Sequence, residues 1–388
     1  MSYWKAAAGL AVLVGVSPLA AQAPAPASPL FSGVIFGNYN YQLPTSSNQF
    51  PNQNNNAFGV DRAYLTFRTT AGDHLSVRVT TDVYQSTETT SNAYTVRAKF
   101  AYLQYDGTRQ ANGSQITGRI GILQNVVIDQ MDTFWLRYLS QSAVERALFF
   151  ASADVGVAAL YTFPNRLGEV YVTAVNGPGY TTRERDRFKD VAMRVTLTPL
   201  ATHDIAPLWR NFNLTAWTYR GATASAFVNG GAGQNGAIGD ALARNRSGLF
   251  AGIRDQRLTL GAEVAERTDE GEVGDNTTAS PRALSSLTAR LVSGLFIVRP
   301  LAFVNGEGKS PYGVVARYDR VNPTAKSSGF VQPTIASDAY HTLIAGVFGD
   351  INPQAQVALD YQEQLTSHGA SLPPNPTKGY YLHFVVNF

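Results

Sequence analysis

The sequence predicts an all-β protein, namely a transmembrane antiparallel β-barrel of about 16 strands with an inward-folded third loop. Three observations carry this prediction. Many segments alternate apolar with polar side chains, which is the period of a β-strand with one apolar face. The connectors between these segments alternate between short and long. No later stretch approaches about 18 consecutive apolar residues, so the chain can enter a membrane only as strands.

The N-terminus has the layout of a secretory signal peptide, which is predicted to cover residues 1–23. One lysine precedes a short apolar run, and small residues follow it. Residues 24–30 are predicted to be a short Pro/Ala spacer, and residues 31–388 the barrel domain. We therefore expect the chain to be exported.

The composition excludes several kinds of site. The 388 residues include no cysteine, which excludes disulfides, zinc thiolate sites and thiol nucleophiles. Charged residues make up 15% of the chain and the net charge is +3, which gives no argument for a nucleic-acid partner. No metal or other cofactor is expected.

The alternation predicts sixteen strands, and the segment HLSVRVTTDVYQ shows the pattern clearly. It places Val77 and Val79 on an apolar face and Arg78, Thr80 and Asp82 on a polar face. An apolar outer face with a polar inner face is typical of a barrel that sits in lipid. The predicted strands cover residues 31–41, 58–69, 74–85, 94–106, 115–122, 154–163, 168–176, 187–199, 210–220, 248–254, 257–267, 284–298, 311–321, 339–350, 354–365 and 379–388.

The connectors support an outer-membrane barrel, because such barrels have short periplasmic turns and long outer loops. PNRLG, RDQR and INPQ are tight turns. The long polar loops of the second half cover residues 221–247, 268–283, 322–338 and 366–378. The first of these carries Arg244 and Arg246. An even number of strands then places both ends of the barrel on the periplasmic side.

The last ten residues, GYYLHFVVNF, alternate an apolar face with a more polar one. The apolar face consists of Tyr380, Leu382, Phe384, Val386 and Phe388. We expect a lipid-facing strand that closes the barrel against the first strand. Its end, with Phe384, Val386 and Phe388, looks like the signal that the barrel-assembly machinery recognises.

One segment, residues 123–153, lacks the period of a strand and has helix-compatible spacing. It follows the fifth predicted strand, so it is the third outer loop, and we expect it to fold inward and narrow the pore. Arg137, Arg146 and Glu145 are predicted to form the constriction, because they lie in the segment that interrupts the strand pattern. The alternative is a surface helix packed over the loops.

The sequence resembles the phosphate-selective porin O and P family of Gram-negative outer membranes. The resemblance is carried, in order, by DRAYLTFRTTAG, GRIGILQNVVIDQMDTF, SAVERA, VVARYDRVN and HFVVNF. It implies a homotrimeric sixteen-stranded porin in outer-membrane lipid that passively takes up small anions such as phosphate through a basic channel. The third loop departs from the pattern, because it has no lysine and because Asp129, Asp132 and Glu145 dilute the charge of its two arginines.

The parity of the strands predicts which charges line the pore. Nine basic residues face the lumen against five acidic ones, which favours anions. The basic residues are Arg62, Arg68, Arg78, Arg97, Lys99, Arg119, Arg194, Arg290 and Arg317. The acidic residues are Asp82, Glu169, Glu263, Asp319 and Asp360. The alternative is that these charges pair across neighbouring strands and only keep the interior wet.

Other functions have weaker support in the sequence. The five histidines are scattered, with no HExxH spacing, and no GxSxG motif is present, so we expect no enzyme and no catalytic residue. Long polar loops would also suit an adhesin. A general-diffusion porin, or a sugar-preferring porin that uses Trp135, Tyr138 and Tyr161 for stacking, remains an alternative for the channel itself.

Overall fold

Sixteen antiparallel strands form a closed barrel in the computed structural model. The structure describes residues 30–43, 55–86, 93–224, 241–273, 283–305, 308–328, 339–366 and 377–388. The predicted signal peptide, and the spacer up to residue 29, lie outside these residues. The strands are β1 (Leu30–Gln42), β2 (Asn56–Thr70), β3 (Leu75–Gln85), β4 (Tyr94–Asp106), β5 (Gln115–Gln124), β6 (Ala153–Thr162), β7 (Gly168–Val175), β8 (Asp190–Leu197), β9 (Phe212–Ala224), β10 (Ala241–Arg254), β11 (Leu258–Val273), β12 (Ala283–Val298), β13 (Tyr312–Ser328), β14 (Tyr340–Asn352), β15 (Ala355–Thr366) and β16 (Thr377–Asn387).

Helical structure is confined to short segments of the described chain. The α-helices are α1 (Val126–Met131), α2 (Ala143–Arg146) and α3 (Pro207–Arg210), and single 3₁₀ turns cover Pro164–Arg166 and Pro300–Phe303. None of the helices in the described residues is long and apolar enough to cross a bilayer. The predicted all-β class and the strand number are confirmed.

The barrel closes between its first and last strands. β1 pairs with β16 from Val34 opposite Asn387 to Gln42 opposite Gly379. Gly33 and Phe388 extend this seam, since each backbone N–H donates to the carbonyl of the other, at 2.7 and 2.9 Å. Closure satisfies the backbone groups that lipid cannot.

The ring of Phe388 lies over Gly33 on the outer face of the seam. A Cβ atom added to Gly33 would stand 2.3 Å from a ring carbon of Phe388, so the ring occupies the space that a side chain at this position would need. The terminal aromatic side chain and the start of β1 are therefore packed together as well as hydrogen bonded.

The strands have the two faces that the sequence predicts. On β8, Val191 and Met193 are exposed on the outside, whereas Arg194 is buried on the inside. The same alternation on β6 exposes Val155 and Val157. An exposed apolar outer face is what a lipid environment requires.

The third loop, residues 125–152 between β5 and β6, lies inside the barrel. Its apolar side chains form one cluster with inward-facing residues of β7 to β14 and another with residues of β1, β13, β14 and β15. Only a segment inside the lumen can contact strands around most of the circumference. The inward-folded loop is therefore confirmed, and the alternative of a helix on the surface is wrong.

One loop boundary differs from the prediction in a way that matters for the lumen. β10 begins at Ala241, so Arg244 and Arg246 are strand residues and not part of an outer loop. Both face inward, because Arg246 pairs in register with the inward-facing Tyr219. The mixed polarity of the sequence ALARNRSG hides the alternation that would have revealed the strand.

We expect Phe388→Asp to lower the yield of folded barrel, because a carboxylate would replace the ring at the β1–β16 seam. The fraction of heat-modifiable protein on unheated gels measures this. Phe303→Asp is the matched control, since Phe303 is similarly exposed, 52% against 56%, but lies in a turn away from the seam. Equal yields from the two variants would show that the terminal ring is not needed for closure.

Candidate functional site

The third loop is attached to the barrel wall first by apolar packing. Phe134 meets Phe250 of β10 edge to face, with ring centroids 4.7 Å apart, and Phe150 meets Trp217 of β9 at 5.3 Å. Leu291 of β12 belongs to the same cluster and is 1% exposed. Burying one such side chain stabilises the fold by about 1.5–3 kcal/mol. The inner wall thus carries an apolar patch under the loop.

Polar side chains of three strands then bind the backbone of the loop. Arg194 Nη1 on β8 donates to the carbonyl of Val126 at 2.6 Å, and Arg317 Nη1 on β13 donates to that of Gln141 at 2.7 Å. Gln362 Nε2 on β15 donates to the carbonyl of Leu139 at 3.0 Å. Buried carbonyl groups need such donors. These two arginines were predicted to line the pore, and the structure gives them a supporting role.

Acidic partners neutralise the same two arginines. Arg194 is ion-paired with Glu169, and Arg317 lies 3.0 Å from Asp319. The guanidinium of Arg317 also stacks on Trp135 of the loop, 4.5 Å from the ring centroid. Neither arginine adds an uncompensated charge to the lumen.

Arg137 and Glu145, two of the three predicted constriction residues, come together in the loop. Arg137 donates to both oxygens of Glu145 at 2.7 and 3.0 Å and to Asp132 at 2.9 Å. Burial opposes the charge of Arg137, but the two carboxylates raise its pKa well above the ordinary value. This trio carries one more negative than positive charge. Two of its members, Arg137 and Asp132, line a cavity of about 1120 Å³ that also reaches the turn residue Arg257.

Arg146, the third predicted constriction residue, lies apart from that trio. It stands on α2 and its Nε donates to Gln364 of β15 at 2.7 Å. Burial, with Arg317 nearby, lowers the pKa of Arg146 to about 10, so the side chain stays charged at neutral pH. The loop as a whole, with three acids and two arginines over residues 125–152, is slightly acidic.

A basic wall, defined here as Arg78, Lys99 and Arg119 on β3, β4 and β5, has no acidic partner within 4 Å in the described part of the chain. Arg78 donates to Thr80 and Gln124 at 3.1 and 3.2 Å. Lys99 donates to the hydroxyl of Tyr64 at 2.9 Å. These contacts hold the bases without cancelling their charge.

Aromatic rings support each member of the basic wall. Arg78 lies 4.8 Å from the centroid of Phe100, and Lys99 lies 4.4 Å from that of Tyr64. Arg119 lies 5.4 Å from the centroid of Tyr102, and it donates to Gln104 and to Tyr171 at 2.8 and 3.0 Å. Such stacking keeps a cationic side chain extended along the wall.

The other predicted lining residues divide into two groups. Arg62 and Arg97 face the lumen but share Asp82, at 2.8 and 3.0 Å, so their charge is partly compensated. Arg68 also faces inward, directly opposite Arg78. Sequence parity identified these faces correctly, but it could not show which charges pair.

Arg290 is not a lining residue, contrary to the prediction. Its side chain is 51% exposed on the outer face, where it pairs with Glu266 of β11 at 2.9 Å. Ala289 and Leu291 face inward instead, under the third loop, and the register of β12 shifts between Thr288 and Arg290. Because the third loop covers this part of the inner wall, the apolar side chains of β12 face inward here. The rule that apolar side chains face outward therefore predicted the wrong face for Arg290.

A closed barrel of sixteen antiparallel strands with its third loop inside is the fold of outer-membrane porins, and solved structures bear this likeness out. The outer-membrane channel DcaP of Acinetobacter baumannii matches with a TM-score of 0.62 at 13% identity, over 93% of this chain and 97% of that one. OmpF of Salmonella typhi matches with a TM-score of 0.60 at 13% identity, over 93% and 97%. OprB of Pseudomonas putida matches with a TM-score of 0.59 at 9% identity, over 93% and 94%.

At such identities the likeness is one of fold. No family model and no curated protein sequence matches the chain. Membership of the phosphate-selective porin family therefore stays a prediction.

We expect Arg137→Met to loosen the third loop, because Glu145, which is only 7% exposed, would lose its cationic partner. The loss of a charged hydrogen-bonded pair lowers the free energy of unfolding by about 2 kcal/mol. Denaturant unfolding and the noise of single-channel currents measure the effect. Arg257→Met is the control, since it removes a turn ion pair with Asp255 and leaves the loop untouched. Equal stability and equal noise in both variants would contradict the role of the trio.

Proposed function

We propose that the protein is a passive outer-membrane channel for small solutes that favours anions. The observation that carries the proposal is the basic wall, whose three cations have no acidic partner among the described residues, in a lumen crossed by a slightly acidic loop. Asp129 of α1 lies within electrostatic range of Arg119, so the two sides of the passage carry opposite charge. Phosphate remains a candidate solute through the family resemblance alone.

The wall favours anions through its fixed charges. Two unit charges about 4 Å apart interact by about 1 kcal/mol in bulk water and by about 4 kcal/mol near a protein surface. Interactions of this size offset part of the cost of dehydrating an ion and still let it leave. The chemistry is suited to selective conduction rather than to tight binding.

Rival functions have less support from the described residues. Trp135 and Tyr138, proposed for sugar stacking, are 4% and 7% exposed where the third loop packs on the barrel wall, and Tyr161 faces outward. The described residues contain no group of three or more side chains that could hold a metal ion. An adhesin has no use for a loop packed inside its barrel.

The same proposal includes the cellular setting. The chain is exported through the periplasm, is inserted by the barrel-assembly machinery through its terminal strand and functions in outer-membrane lipid. A homotrimer is proposed from the family resemblance and from the fold likeness to OmpT of Vibrio cholerae, which is described in a trimer form and matches with a TM-score of 0.57 at 9% identity.

We expect the double variant Arg78→Gln/Arg119→Gln to bring the ratio of anion to cation permeability close to unity. Reversal potentials under a salt gradient in planar bilayers measure the ratio. Arg290→Gln/Arg320→Gln is the control, because both side chains are on the outer face. A parent channel that prefers cations would overturn the proposal.

The variant Arg137→Gln/Arg146→Gln distinguishes the contribution of the third loop to ion selectivity from that of the basic wall. We expect a smaller change than in the wall variant, because Arg137 is already neutralised by Glu145 and Asp132. A larger change would assign selectivity to the third loop, as the position of Arg137 and Arg146 in the sequence predicts.

We also expect the anion preference to weaken as salt increases. The screening length is about 10 Å at 0.1 M and about 3 Å at 1 M, so the basic wall acts over a smaller part of the lumen at high salt. Reversal potentials at a fixed concentration ratio and rising mean salt measure this. A preference that does not change with salt would point to steric selection.

A further inference from the structure

A second polar cavity lies at the end of the barrel that carries the long loops. It has a volume of about 200 Å³ and is enclosed by the end of the third loop and by β5 to β10. Arg244 and Arg246 of β10 line it, together with Leu123, Phe149, Phe150 and Tyr219. No member of the basic wall is part of this lining, although Gln124, which contacts Arg78, is.

Arg246 carries unused hydrogen-bond donors in this cavity. The residue is 9% exposed, and within the described chain its Nε and Nη1 atoms are buried without a hydrogen-bond partner. Only Nη2 has an acidic neighbour, at 3.1 Å from Asp269. A buried arginine normally has its donors satisfied, so an acceptor is required here.

Two of the three acids around the cavity, Asp190 and Asp154, are occupied by other groups. Asp190 is held by Arg244 at 2.6 Å, by Tyr219 and by the backbone N–H of Ala222. Asp154 accepts from the backbone N–H groups of Val155, Gly177 and Gly179. Asp269 lies between Arg246 and Arg267, at 3.1 and 3.2 Å. Asp269 Oδ1 has no hydrogen-bond partner of its own among the described residues, but it faces Nη2, so the Nε and Nη1 atoms of Arg246 remain without an acceptor.

The charges and the lining define the class of ligand. Arg244, Arg246 and Arg267 balance Asp154, Asp190 and Asp269, so a monoanion disturbs the balance less than a dianion such as phosphate. The guanidinium of Arg246 lies 5.0 Å from the ring centroid of Tyr219 and 5.9 Å from that of Phe150. These rings, with the aliphatic side chains nearby, suit a ligand that has an apolar body.

We propose that this cavity is a binding subsite for small organic carboxylates with an apolar body, of which benzoate is the simplest aromatic example. The carboxylate accepts from Arg246, and the apolar body contacts Phe150 and Tyr219. The subsite names a solute class for the proposed channel and to that extent rests on it. Binding itself can be measured without transport.

Calorimetric titration of the full, folded protein in detergent tests the subsite. The probes are benzoate, neutral benzyl alcohol and inorganic phosphate. We expect benzoate to bind more tightly than either of the others, because only it combines the charge with the apolar body. The proposal would be overturned by the wild-type protein alone if benzyl alcohol bound as tightly as benzoate, or if phosphate bound more tightly.

Arg246→Met should weaken benzoate binding about tenfold or more, the usual cost of losing a hydrogen bond to a charged group. Arg246→Lys keeps the charge but removes the Nε and Nη1 donors, so it should also weaken benzoate binding. This variant provides the test if Arg246→Met fails to fold. Arg220→Met is the matched control, since Arg220 is opposite Asn245 on the outer face of the same strand pair and should leave binding unchanged. Wild-type affinity in both Arg246 variants would overturn the subsite.

The outcome is separate from that for the proposed function. A channel without anion preference in bilayers that still binds benzoate through Arg246 contradicts the proposed function and leaves the subsite intact. A channel that prefers anions but does not bind benzoate through Arg246 contradicts the subsite alone.

Discussion

Backbone hydrogen bonding in lipid is the constraint on which this structure depends. A membrane offers no partner for an N–H or C=O group, so the sheet has to return on itself, and β1 pairs with β16. Closure leaves a largely apolar face towards the lipid and creates an interior that the protein must fill or leave wet. The third loop fills much of that interior, and charged side chains border the cavities that remain.

Packing of the third loop decides what each charge in the lumen can do. Arg194 and Arg317 donate hydrogen bonds to the loop backbone and are paired with neighbouring acids. They stabilise the structure and contribute little to the electrostatic potential in the lumen. The bases on β3 to β5 contact amides, hydroxyls and rings, and no acidic side chain of the described residues lies within 4 Å of them. A count of basic residues therefore overstates the electrostatic bias, and the distribution of their partners determines it.

The fold could be predicted from the sequence because strand period, loop length and the terminal aromatic strand are local signals. The site could only be predicted in part, since pairing across strands depends on register. The face of Arg290 was reversed because Ala289 and Leu291 pack inward against a loop more than a hundred residues earlier. Arg246 was missed because its strand begins in polar sequence that is typical of a loop.

The position of the third loop couples its docking to the order in which the barrel forms. Trp135 and Leu139 belong to one cluster with Phe36 of β1 and with Ala358 of β15, two strands that meet only through β16. The loop cannot complete these contacts while the seam is open, and lateral opening of the seam would break them. The third loop can therefore dock completely only after the barrel has closed. Once docked, it holds the strands on the two sides of the seam together, in addition to narrowing the lumen.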